Sequence, residues 1–165
     1  MREEDFDRLY AEHGQALFGF LVYRTGDRVL AEDLVADTFE RVLRARRRFD
    51  RRKGKERTWI YTIALNRLRD VQRSAAAERR AIERVAGSAG PGEASEGHDD
   101  VEHRDTVTRA MAVLSDAERD AIALRFGAEL TVPEIAKLLA EPLTTVEGRV
   151  YRALRKLRDQ LEPPT

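Results

Sequence analysis

Apolar residues recur along almost the whole chain at the 3.6-residue period of an amphipathic helix, and the alternating pattern of a half-buried strand is almost missing. Phe6, Leu9, Tyr10, His13, Leu17, Phe20 and Leu21 line one face of a first predicted helix, which Thr25-Gly26-Asp27 terminates. A second helix is predicted from Val29 to Arg47, with Leu30, Leu34, Val35, Phe39, Val42 and Leu43 turned inward. Thr58 is placed to cap a third helix from Trp59 to about Arg80, whose inner side is Trp59, Ile60, Ile63, Ala64, Leu68 and Val71. Ala75 to Val85 either extends that helix or leaves it.

The period then breaks. From Ala86 to His103 the chain reads AGSAGPGEASEGHDDVEH, too poor in large apolar residues to form a core, so it is expected to be a flexible acidic linker. Beyond it, Val107, Ala110, Met111 and Leu114 form one apolar side, and Ser115 with Glu118 has the spacing of a capping box. Thr131-Val132-Pro133-Glu134 repeats that signal with a proline in the first turn. Ala140-Glu141-Pro142 interrupts the helix, and Thr144-Thr145-Val146-Glu147 opens another, with Glu147 spaced to cap it. The expected fold is therefore all-α: two small helical domains, 1–85 and 104–162, joined by residues 86–103 and free to move partly independently, the second containing a helix-turn-helix.

Charge changes this picture more than composition does. The 165 residues sum to zero net charge, yet Arg44 to Arg73 holds twelve Arg/Lys against three Asp/Glu. Local positive fields of that kind steer phosphate backbones even where the whole protein is neutral. The second helix carries the opposite sign, with Asp33, Asp37 and Glu40 in one stripe. Read alone, such a stripe is an ordinary solvated face. The chain has no cysteine, which removes disulfides and thiolate metal sites and points to a reducing, cytoplasmic location. The acidic start is unlike a secretory leader, and no apolar run approaches the roughly 20 residues that cross a bilayer.

Two elements point to nucleic acid. In the helix-turn-helix of Thr131 to Arg158, short side chains at Thr144 and Thr145 let helix amides approach a phosphate, and Arg149 and Arg152 reach bases or backbone. Glu147 is repelled by phosphates, and it either caps its helix or accepts from a cytosine amine. In the third helix, Trp59 and Tyr61 follow a loop bearing Arg51, Arg52, Lys53, Lys55 and Arg57, and Asn66 offers a donor and an acceptor to a base edge. Cations that track phosphates beside aromatic rings are what single-stranded DNA requires. The plainer alternatives are that Trp59 is core packing and that the second motif is an ordinary helical hairpin. Catalytic signals are weak. His13 lies on an apolar face, the histidines and carboxylates from His98 to His103 have no fixed ligand geometry, and the glycines form no phosphate loop. Neither an enzyme nor a metal or other cofactor is expected.

AEDLVADTFERVLRA at Ala31 to Ala45, RTWIYTIALNRLRD at Arg57 to Asp70, and LSDAERDAIALRF followed by LTVPEIAKLLAEPLTTVEGRVYRALRKLR occur in the order and spacing of a known family. The chain resembles the bacterial extracytoplasmic-function sigma factors, small sigma-70-type initiation subunits, over nearly its full length. That resemblance implies that Asp33, Asp37 and Thr38 dock on the clamp coiled coil of core RNA polymerase. It implies that Trp59 stands at the base of the promoter-melting region, that Asn66 helps to hold a flipped nontemplate base, and that Asp50 to Thr58 walls its pocket. The second domain would read the upstream promoter element. Thr144, Glu147 and Gly148 depart from the usual small glycine, basic residue and serine. The resemblance also implies control by an anti-sigma factor, and no further domain is expected after Leu161. A stand-alone helix-turn-helix regulator would leave the acidic stripe and third helix unexplained; a helical adaptor protein would show no DNA-dependent activity with core polymerase.

Overall fold

The computed structural model describes residues 3–86 and 101–162, the side chains of residues 3 and 101–105 excepted, and those residues contain helices and turns but no strand. Seven α-helices follow in order: α1 (Glu3–Thr25), α2 (Arg28–Ala45), α3 (Glu56–Ala86), α4 (Val101–Ala112), α5 (Asp116–Ile122), α6 (Val132–Leu139) and α7 (Leu143–Leu161). Most of the expected linker lies outside the described residues; its first residue ends α3 and its last three open α4.

Local chemistry explains most helix ends. Gly26, at φ +70°, closes α1 in the left-handed region that glycine enters without steric cost, and its amide donates to the Val22 carbonyl at 2.8 Å. Asp27 then caps α2 through the Leu30 amide at 3.1 Å. Ser115–Glu118 and Thr131–Glu134 form the two capping boxes that their spacing predicts. Two starts differ from expectation. The third helix begins at Glu56, so Thr58 lies inside it, with its hydroxyl outside any capping role. The last helix begins at Leu143 behind Pro142, with no side-chain cap, so Thr144 and Glu147 do not form the third box.

α3 is longer than its periodicity predicts. At ~1.5 Å per residue its 31 residues span roughly 46 Å. Burial stops at Leu68, because beyond Val71 the helix has almost no large apolar side chains to place against α1 and α2. Its final turns project with Ile82 and Val85 exposed.

The two halves share one core. α1 packs against α2 and also against a π-helical turn, Ala123–Gly127, that follows α5; α3 packs against α6. Phe20, Tyr61, Ala121, Ile122 and Leu124 belong to a single buried cluster. Gly127 makes the close approach possible, since a Cβ there would stand 3.2 Å from Phe20 Cα and 3.4 Å from Tyr23 Cβ. Across the same seam Arg24 Nε of α1 donates to Asp120 Oδ1 of α5 at 2.6 Å, with both side chains buried. Arg69 of α3 reaches the other Asp120 oxygen at 3.5 Å, and Arg57 donates to the Ala128 carbonyl. The halves, expected to move partly independently, are in direct contact along this seam in the structure. Apolar residues that looked like the interiors of two small domains also face each other.

Candidate nucleic-acid and polymerase interface

On α2 the structure separates the three candidate docking residues. Asp33 is exposed; Asp37 is half-buried and accepts from Arg67 Nε at 2.8 Å. Thr38 is completely buried and donates to the Leu34 carbonyl at 2.6 Å, so it presents nothing to a partner. Beside this face runs a cleft of about 960 Å³ between α1 and α2, lined by Phe6, Tyr10, Phe18, Val35 and Phe39 and rimmed by Glu32 and Glu40. Tyr10 is half exposed there. Phe39 is buried in the core and Phe6 packs against it, as the sequence pattern predicts, but Tyr10, expected on the same inward face, lies at the open edge of the cleft, because an apolar stripe wider than its partner helix has the same periodicity as one fully covered.

The basic loop before α3 keeps Arg51, Arg52, Lys53 and Lys55 at the surface around an open cleft of about 670 Å³. Arg8 of α1 and Lys137 of α6 also line it. One carboxylate moderates the field, since Glu56 accepts from Arg8 and Arg51, each at 3.1 Å. Arg57 turns away from this cleft toward the Ala128 carbonyl.

Along α3 the side chains part according to face. Trp59 is partly buried and stacks on Phe49 at 4.8 Å between ring centroids, which fixes the indole beneath the loop. Tyr61 is fully buried, edge-on to Phe20 at 5.4 Å, and cannot stack on a base. Burial pushes its hydroxyl up to about 12, and its oxygen meets no hydrogen-bond partner among the described residues. Asn66 is exposed. One turn on, Arg69 touches Asp120, and Arg73 pairs with Asp70 at 2.5 Å.

In the helix-turn-helix, α6 ends on Ala140 in the left-handed region, φ 53°, with its amide shared between the Ala136 and Lys137 carbonyls. Pro142 then starts α7, whose buried side is Val146, Val150 and Ala153. Thr144, Thr145, Glu147 and Arg152 are exposed. Arg149 is not: it is drawn into an ion pair with Glu141 at 2.6 Å and is only 15% exposed, which withdraws it from the solvent-facing side of α7. Tyr151, 68% exposed one turn beyond Glu147, was missed by sequence reading, although its place between the buried Val150 and Ala153 positions marks it as outward. Arg152 folds back so that its guanidinium lies 3.1 Å from where a Cβ on Gly148 would stand.

The capping glutamates are also electrostatic anchors. Burial works against the charge of Glu118, but Lys156 Nζ at 2.9 Å and the Ser115 amide outweigh it and hold the carboxyl below its usual range. The Thr131 hydroxyl and amide lower Glu134 in the same direction. Glu12, His13 and Glu56 bring possible ligand atoms within 4.8 Å of one another, but Arg8 already donates to both carboxylates, as an ion pair network rather than a cation cage. No described helix is long and apolar enough to cross a membrane.

Comparison with known proteins places these surfaces in two family segments. Residues 9–78 match Sigma-70 region 2, and residues 110–159 match Sigma-70, region 4. ECF RNA polymerase sigma factor SigK of Mycobacterium tuberculosis is 28% identical over 162 residues, covering 95% of this chain and 86% of its own length. ECF RNA polymerase sigma factor SigM of Bacillus subtilis is 26% identical over 152 residues, covering 92% of each chain. Among solved structures, the sigma factor RpoE from Bartonella quintana, in complex with the anti-sigma factor NepR, superposes with a TM-score of 0.75 at 25% identity, covering 96% of this chain and 97% of that one. CnrH, in complex with the cytosolic domain of CnrY, superposes at 0.72 with 26% identity, covering 97% and 89%.

Proposed function

Because the chain belongs to the sigma-70 family and is an RNA polymerase sigma factor of the extracytoplasmic-function type, we propose that it divides promoter recognition between an N-terminal unit ending with α3 and a C-terminal unit beginning with α4. Asp33 and Asp37, beside the aromatic cleft of α1 and α2, dock on core polymerase, where opposite charge orients the encounter and apolar contact holds it. Arg51, Arg52, Lys53 and Lys55 follow the phosphates of the nontemplate strand. Trp59, braced by Phe49, shapes the pocket in which Asn66 holds an unpaired base. Base extrusion costs a few kcal/mol, which pocket contacts and backbone attraction recover. The protein thus melts DNA by trapping the open strand and makes or breaks no covalent bond. α7 reads the upstream element through Thr144, Thr145, Tyr151 and Arg152.

The observation that carries this reading is the exposure of Asn66 between a cationic loop and the Arg69–Arg73 strip, on a helix whose other side is core. Arg69 meets Asp120 in the closed arrangement, so an incoming phosphate competes with that carboxylate. The protein acts in the cytoplasm, and its regulatory partner is an anti-sigma factor, the class of protein with which the Bartonella relative was captured.

Run-off transcription with core bacterial RNA polymerase and a pool of genomic promoter fragments tests the reading and recovers the recognised elements. Asn66→Ala is expected to bind core normally and to lose permanganate reactivity of promoter thymines. Equal reactivity in variant and parent removes Asn66 from the melting site.

A further inference from the structure

The chain contains three Ser/Thr-x-x-Glu sequences near helix starts, and they do not behave alike. Glu118 and Glu134 are consumed by their capping boxes, each returning to the amide of its Ser or Thr. Glu147 is not recruited: α7 starts one residue before Thr144, behind Pro142, which places Glu147 in the second turn and outside the cap. Its side chain is exposed, and no hydrogen bond or ion pair reaches it from the described residues. A carboxylate without a partner on the outward face of a basic helix has no local structural role.

Its position and chemistry define what it can face. The N-terminal turns of the second helix of a helix-turn-helix meet base edges in the major groove. There, guanine presents N7 and O6 and thymine presents O4, all acceptors that repel a carboxylate. Adenine presents an N6 donor with the N7 acceptor beside it, whereas cytosine presents the N4 donor alone. An anion held between phosphates without a donor is left desolvated and unpaired, so the wrong base is penalised as well as the right one favoured. Arg149, two residues on, does not compete for the same base, because Glu141 holds it.

We propose that Glu147 is a specificity-determining residue that selects cytosine, and excludes guanine, at one position of the upstream promoter element. The proposal rests on the reading that α7 enters the major groove, and it adds the base that this chain selects there.

The test uses holoenzyme assembled from core polymerase and the full chain, with duplex templates built on one promoter recovered by the run-off experiment and randomised across its upstream element. The transcribed pool is sequenced for the parent, Glu147→Gln and Glu147→Arg. Glutamine and arginine are as good helix formers as glutamate, and the site is exposed, so circular dichroism of the three proteins should coincide. The parent should enrich cytosine at one position about tenfold, within the range of one good base contact. Glu147→Gln should move that preference to adenine and Glu147→Arg to guanine, with the other positions unchanged. Base profiles that are identical in all three proteins overturn the proposal and leave the sigma-factor reading standing. A parent that transcribes no template overturns both.

Discussion

Removing the Asp120 carboxylate should destabilise both halves of the protein at once. Asp120→Ala leaves the Arg24 guanidinium 3% exposed, with only the distant Asp116 oxygen at 3.5 Å and on a largely solvated side chain. Breaking a buried ion pair from one side costs about 3–5 kcal/mol, and the residual Asp116 contact puts this case near the lower limit, about 3 kcal/mol. Arg24→Met should cost less, about 1–2 kcal/mol, because Asp120 keeps Arg69 and the thioether chain fills part of the vacated space. The double variant should fall short of the sum by at least about 1 kcal/mol, the coupling expected of groups in direct contact. Urea unfolding read by far-ultraviolet circular dichroism reports on every helix, while Trp59 fluorescence reports on the N-terminal half alone. In a chain with one core the two traces coincide for the parent and shift together for Asp120→Ala. A Trp59 transition that stays in place while the circular dichroism transition moves would refute the shared core, and strict additivity would refute the pair.

Three further outcomes follow from single sites. Tyr61→Phe removes a buried hydroxyl that meets no partner and should raise stability by about 1 kcal/mol at unchanged denaturant slope; a loss of stability would mean that the oxygen is satisfied. Ala140→Gly relieves a left-handed non-glycine residue at the turn of the helix-turn-helix and should stabilise by about 1 kcal/mol, read from the urea midpoint, with a decrease contradicting the assigned backbone. Glu118 has a folded carboxyl value below its unfolded one, so its contribution is complete above about pH 4.3 and disappears as the pH falls through the folded value. Acid titration followed at 222 nm should therefore be shallower for Glu118→Gln than for the parent; parallel curves would discount the Lys156 and Ser115 contacts.

Much of this protein is encoded in neighbouring residues, and that part was legible. Helix periodicity, the Gly26-Asp27 break and the Ser115–Glu118 and Thr131–Glu134 boxes involve groups within four positions of each other, so their spacing alone defines the geometry. Charge clustering likewise located the basic loop, and helix periodicity placed Asn66 on the polar, exposed strip of α3. Three-dimensional packing decided the rest. Thr38 and Tyr61 carry polar atoms that looked available for binding, yet both are buried: α2 packs between α1 and α3, and Tyr61 lies edge-on to Phe20 of α1 in the core cluster that the second half of the chain shares. Arg57 and Arg149 have the charge of DNA contacts, but Ala128 and Glu141 claim them. Arg24 and Asp120, 96 positions apart, carry no local signal that they meet. Amphipathic pattern records that a face is buried without recording against what, and only the tertiary arrangement supplies that partner.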